Sequence, residues 1–226
     1  LITNKWKATV LVTNNSDRWH PYSHAFKYNP QGNAHSTRST LFYAVQSNFM
    51  MSKSMFIDLK YSKLKYSNGY FVYEDPLDLR YVNDSYLSNV PGFYTGGQEK
   101  SHSNRETIDY NYKFDVNWQI NKFHNLKLGV DFLNHQIKNN YYTINPHPDS
   151  TIYYPFIFND TTLTTYNDIF DVSPIEMSAY IQDKMEFDAM VINLGIRYDK
   201  FNPKTQYPTE YRNPRNLISN VDTSSY

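Results

Sequence analysis

"TIDYNYKFDVNWQIN", residues 107–121, alternates at every position: Ile108, Tyr110, Tyr112, Phe114, Val116, Trp118 and Ile120 share one parity, Asp109, Asn111, Lys113, Asp115, Asn117, Gln119 and Asn121 the other. Period two is the mark of a strand whose two faces meet different surroundings. At about 3.3 Å per residue the stretch runs roughly 45 Å, whereas a strand in a water-soluble sheet usually needs about 5 to 6 residues. The surplus length asks for a cause.

The same period recurs on both sides. Met55, Ile57, Leu59 and Tyr61 oppose Phe56, Asp58, Lys60 and Ser62; Leu41, Tyr43, Val45 and Phe49 oppose Phe42, Ala44, Gln46 and Asn48 more weakly. Leu126, Leu128, Val130 and Phe132 oppose Lys127, Gly129 and Asp131, and Met190, Ile192, Leu194, Ile196 and Tyr198 oppose Val191, Asn193, Gly195, Arg197 and Asp199. Met177, Ala179, Ile181, Met185 and Phe187 complete the set, with Asp183 on their apolar side. Either Asp183 sits near the turn at a membrane boundary, where an acidic residue on a lipid face costs about 0 to 1 kcal/mol, or a bulge flips the parity. With "WKATVLVT" near the start, seven strands are expected, at 5–13, 39–50, 54–64, 106–121, 125–137, 175–187 and 189–200.

Tight turns fall near Ser52, Lys122 and Asp188, while long polar stretches occupy roughly 63–105, 138–172 and 200 onward. A soluble sandwich or barrel turns about every 8 to 12 residues and carries few loops beyond about 12 to 15. Short turns at one end and long loops at the other are the asymmetry of outer-membrane barrels, whose strands alternate apolar-out and polar-in. Tilted about 45°, such a strand needs only about 9 to 11 residues to cross the hydrocarbon, so a longer one crosses and continues into its loop. Tyr61, Tyr66, Tyr110, Tyr112, Tyr198 and Phe201, near the loop-side ends, suit an aromatic girdle.

Composition agrees with this and excludes much else. Aromatic residues make up 17% of 226, with 22 Tyr and 14 Phe, yet mean hydropathy is −0.69. Lipid-facing and lumen-facing residues that alternate average to that pairing. Formal net charge is 0, so no global field points to nucleic acid. With Cys 0 there is no disulfide framework, thiolate metal site or thiol catalysis. The chain opens Leu1-Ile2-Thr3 with no secretory signal, and no run of about 18 apolar residues forms a membrane helix. Seven is an odd count and "NLISNVDTSSY" does not read as a closing strand, so residues 1–226 are expected to be one domain, an internal piece of a larger barrel.

"MSAYIQDKMEFDAMVINLGIRYDKFNP", Met177 to Pro203, resembles a hairpin of TonB-dependent outer-membrane receptors, in which a strand ending Gln-Asp, here Gln182 and Asp183, turns into one carrying Gly195, Arg197, Tyr198 and Asp199. "WKATVLVTNNSDRWHPYSHAFKYNPQG" is similar to the strand and tall loop of relatives with a carboxypeptidase-regulatory-like domain. The resemblance implies an all-β fold, an antiparallel transmembrane β-barrel of 22 strands, of which this chain holds about seven consecutive ones without the plug. It implies import of a scarce large nutrient, a siderophore, vitamin or oligosaccharide, across a bacterial outer membrane. The partners it implies are outer-membrane lipid, the plug and, through the plug, TonB. No functional residue carries over, because the matched motif is scaffold.

Chemical motifs are few, and neither a catalytic group nor a cofactor is expected. His20 and His24 in "WHPYSH" stand four apart, but Pro21 removes the helix that would aim both at a metal, and His147 lies between prolines. "GFYTGG" lacks the Lys and helix of a phosphate loop. Asp58, Lys60, Asp109, Lys113, Asp115, Lys127, Asp131, Arg197 and Asp199 are expected to point into the lumen, their mixed signs favouring salt bridges and plug contacts over a catalytic pair. Loop residues Trp19, His20, Tyr22, His24, Phe93, Tyr94, Tyr153 and Tyr154 are the candidate ligand contacts, and Tyr70, Phe71, Tyr73, Tyr141 and Tyr142 have similar character. Packing between tall loops is favoured over stacking on a ligand. The alternatives are a structural or adhesive barrel that displays its loops and, more distantly, a soluble carbohydrate-binding domain; the latter would need a cover for its apolar face and Cys or Ca²⁺ ligands to order its loops.

Overall fold

A computed structural model describes residues 5–83, 92–158 and 166–205, with the backbone of 207–208 and 221–222. In chain order the strands are β1 (Trp6–Trp19), β2 (His35–Ser52), β3 (Met55–Phe71), β4 (Ser101–Gln119), β5 (His124–Thr143), β6 (Asn145–Pro146), β7 (Pro155–Phe156), β8 (Asn167–Val172), β9 (Ile175–Phe187), β10 (Met190–Asn202), β11 (Tyr207–Pro208) and β12 (Val221–Asp222). The only helical elements among the described residues are two 3₁₀ turns, His24–Phe26 and Pro30–Gly32. One antiparallel sheet runs β1-β2-β3-β4-β5-β9-β10, with β8 beside the loop-side half of β5. The sheet is open: β1 and β10 pair on one side only.

The long strands follow from the alternation, and pairing carries them further than the alternation does. β3 reaches Phe71, β4 starts at Ser101 and β5 reaches Thr143, so parts of the stretches expected as loops are strand. Near the loops both faces turn polar, as in Lys63, Lys65 and Asn68 opposite Tyr110, Ile108 and Arg105, and the period fades while the backbone ladder continues. β8 and β9 are one line of chain, since Val172 faces Ile137 and Ile175 faces Asn134 in the same register. The break is Pro174, which has no N–H to give; its carbonyl still accepts from the His135 amide at 2.9 Å.

Register puts the apolar parities of all seven strand lines on one face. Val10, Val45, Tyr61, Tyr112, Phe132 and Met177 lie opposite one another in turn from β1 to β9. The rings of Tyr43, Tyr61, Tyr112 and Phe132 form a ladder with centroids 6.1, 5.1 and 6.2 Å apart. Tyr66 and Phe201 are not part of it: Tyr66 shares the parity of Lys60, and Phe201 that of Arg197, so both face the polar side. Asp183 faces Leu126 on one side and Leu194 on the other with no register shift. There is no bulge, and the residue lies four positions from Phe187, inside the apolar band and not at its edge.

The hairpins step sideways as well. Met55 is level with Trp118 and Leu126, so β5 begins two residues beyond, at His124; His124 is level with Met185, so β9 turns two residues beyond, at Phe187. From one hairpin to the next, two strands apart, that is about one residue of stagger per strand. With about 3.3 Å per residue and about 4.8 Å between strands it sets the strands at about 35° to the line of turns.

The buried hydrophobic cluster is not on the sheet. Ala34, Val72, Tyr81 and Ile144 lie where the long connections meet, with Tyr70, Tyr73, Tyr153 and Ile157 against them. On the apolar face, by contrast, Val10, Val12, Leu59, Ile181, Leu194, Ile196 and Tyr198 are between 51% and 77% exposed. No described element packs across that face.

Candidate functional site

Four connections, 20–34, 72–83, 92–100 and 144–158, converge at the loop-side end of the sheet and are tied by backbone groups. The Tyr94 amide donates to the Ala25 carbonyl at 2.6 Å, Glu99 to Gly32 at 2.8 Å and Ile144 to Lys100 at 2.8 Å. Gly32 approaches Gly97 so closely that a Cβ there would lie 2.4 Å from the Gly97 carbonyl oxygen, and Gly97 itself has φ 78, which side chains other than Gly seldom adopt. Glu99 holds two walls together: its carboxylate accepts from the Tyr70 hydroxyl at 2.7 Å and from the Ala34 amide at 3.2 Å.

Of the residues singled out in the sequence, Tyr22, His24, Phe93 and Tyr94 come together. The Tyr22 hydroxyl lies 3.1 Å from His24 Nδ1, the His24 ring 5.0 Å from Phe93 and Tyr94 4.9 Å from Phe26. His20 packs instead on His35 at 5.3 Å, and Trp19 lies under the Arg38 guanidinium at 5.3 Å. Tyr153 joins the buried cluster, with Lys100 Nζ 5.5 Å from its ring. Tyr154, largely exposed, accepts from the His147 amide through its carbonyl.

Two adjoining hollows open among these loops. One of about 400 Å³ is lined by His20, Tyr22, Phe26, Lys27, Gln31 and Asn33 among others; one of about 520 Å³ by Tyr22, Phe26, Tyr70, Tyr94, Glu99 and Lys100 among others. Tyr22 and Phe26 belong to both. Most polar groups in the walls already serve the loops, since Asn33 donates to the Pro21 carbonyl and Lys100 to the Val82 carbonyl, each at 2.6 Å. What remains is an aromatic surface, and the Tyr22 ring, 78% exposed, is the part most open to a flat or apolar ligand. Tyr70 was singled out and lines the second hollow, whereas Phe26, Glu99 and Tyr28, whose ring lies 4.9 Å from Phe93, were not. Gly32 and the Asn29-Pro30 turn mark a compact loop, but nothing local marks which distant carboxylate closes it.

The polar face holds a chain of bonded charges. His135 Nδ1 lies 2.6 Å from Asp109 Oδ1, and its Nε2 lies 3.4 Å from Glu176. Asp115 accepts from Tyr180 at 2.8 Å and pairs with Lys113 at 3.7 Å; Asn111 donates to Asp131 at 2.9 Å; Arg197 pairs with Asp199 at 2.8 Å. Asp58, Lys60 and Lys127 share this face by register. Among the described residues no group of three or more His, Asp or Glu could hold a metal ion.

Above the apolar band, inside the loop cap, His35, Phe71, His102 and Tyr142 follow one another across four strands with ring separations of 4.7, 5.3 and 6.3 Å. His35 and His102 are buried, His102 donates from Nε2 to the Glu74 carbonyl at 3.0 Å, and its Nδ1 has no partner. Burial lowers both imidazoles below their ordinary pKa of 6.5. A His whose folded pKa is depressed favours folding while neutral, so the cap loses stability as pH falls below the unfolded value. Amide exchange in 72–83 and 92–100, taken relative to its intrinsic rate, is expected to quicken as pH falls from about 7 to 5, and less steeply in His102→Phe, which keeps the ring and removes the charge. An exchange rate free of pH dependence beyond the intrinsic one would refute this.

No family model, curated protein or solved structure matches the chain.

Proposed function

We propose that this chain is part of the barrel of a TonB-dependent outer-membrane receptor that imports a scarce large nutrient. The observation that carries the reading is the apolar face: seven strand lines wide, in continuous register above one shift at Met50/Ser52 beside the first turn, and covered by no described element. Water-soluble proteins seldom expose a contiguous apolar patch beyond a few hundred Å². On β10 the outward residues stay apolar from Met190 to Tyr198 and turn cationic at Lys200. That run is about 26 Å along the strand and, slanted by about 35°, about 22 Å tall, close to the roughly 25 Å apolar band of a membrane barrel.

Aromatic rings bound the band as they bound such barrels: the Tyr43 to Phe132 ladder toward the loops, and Trp6, Phe49, Trp118 and Phe187 toward the turns. Three turns of two to four residues close one end and long connections the other. In lipid the free edges of β1 and β10 need partners, so the reading requires further strands on both sides. The polar face, lined with paired charges, then faces a lumen.

In protein folded into vesicles, a spin label at Ile192 is expected to be open to oxygen and closed to a polar quencher, and one at Asn193 to show the reverse. Equal accessibilities would remove the membrane reading. Transport is separated from mere display of loops by coding sequence upstream of Leu1: a plug and a TonB-contacting segment are expected, and a barrel without them would be a structural or adhesive protein.

A further inference from the structure

We propose that the outward face just above the aromatic ladder binds phosphorylated lipids, one acyl chain lying in a groove capped by Lys200 and the phosphates resting on Lys63, Lys65 and Lys200; this rests on the reading that the apolar face meets lipid. The groove, about 620 Å³, is walled by Leu59, Tyr61, Phe114, Val130 and Tyr198 and floored by Ala179. It exists because Ala179 and Ser47 are short among long neighbours. Lys200 lines its loop-side end.

The stagger places the lysines together in height. Lys200 is in register with Met177, Phe132, Tyr112 and Tyr61, and four strands at one residue each bring it level with Lys65, with Lys63 one outward position lower. Lys65 is paired with Glu106 at 2.7 Å. Lys63 Nζ lies 5.0 Å from the Tyr110 ring, and among the described residues no carboxylate pairs with Lys63 or Lys200. Three cations therefore stand against one anion, directly above an apolar groove. Lysine stems lie along apolar surface while their ammonium groups reach the polar boundary, where the complementary group is a lipid phosphate. β3 and β10 are about 19 Å apart, so the two lysine groups serve neighbouring phosphates.

The protein would be placed in vesicles of phosphatidylcholine holding a small fraction of spin-labelled phosphatidic acid or spin-labelled phosphatidylcholine. Motional restriction of each label then reports contact. Phosphatidic acid is expected to be preferred, with the preference falling about fivefold per lysine removed at the site in Lys63→Gln and Lys200→Gln, and unchanged in Lys127→Gln on the polar face. Equal restriction of both lipids, or a preference untouched by K63Q and K200Q, would overturn the lysine site and leave the membrane reading standing. No restriction of either label would remove that reading and the site with it.

Discussion

Arginine in place of Leu59 is expected to destabilise the bilayer-folded protein by about 2–4 kcal/mol, the cost of a cation near the midplane of a barrel's lipid face. Leu59 is half exposed, lies between Ser47 and Phe114 in the middle of the apolar band, and has no outward carboxylate in register beside it. Its sequence neighbour Lys60 is already a cation, on the other face. Ser62→Arg, on the Lys60 side of the same strand, is expected to change stability by about 0.5 kcal/mol or less. Denaturant unfolding from vesicles, followed by tryptophan fluorescence, gives both numbers. Were the apolar face turned to water, L59R would be neutral or would raise solubility, so similar values for the two variants would remove the proposed orientation.

How far the sequence could be read depended on whether the two faces differ. Through the band they do, and residues such as Tyr112 and Lys113 declare their sides unaided; the seven strands, their three tight turns and the shared polar face of Asp109, Asp115 and Asp131 all follow. Above the band both faces carry polar residues, so the period that reveals a strand disappears, and β3 and β4 run on to Phe71 and from Ser101 without announcing it. Tyr66 suits a girdle by its place along the chain, but parity puts it on the polar face. The loop site was legible in part because its signal is composition: aromatic residues cluster in 19–28 and 93–94, and four of the eight candidates do meet. Their partners, Glu99 across 65 residues from Ala34 or Gly97 across 68 from Asn29, are set by how the loops fold together.

The strictest test of whether the apolar face meets lipid is the acidic residue inside its band. Asp183 stands among Leu126, Leu194, Ile181 and Met185 on the apolar face, and His124, also on that face, brings its Nδ1 to 2.7 Å from Asp183 Oδ2. The other carboxylate oxygen is buried without a partner. In a low-dielectric setting, removing one member of such a pair is worse than removing both, because it strands a charge. His124→Leu is therefore expected to cost about 3–5 kcal/mol in vesicles, and the double replacement His124→Leu with Asp183→Leu to be neutral or more stable than the parent by about 1–4 kcal/mol. If the face met water, the single change would cost about 1 kcal/mol or less and the second would rescue nothing. A large loss for H124L reversed by D183L thus identifies both the pair and the medium around it, because only a medium that solvates charge poorly makes the second deletion repair the first.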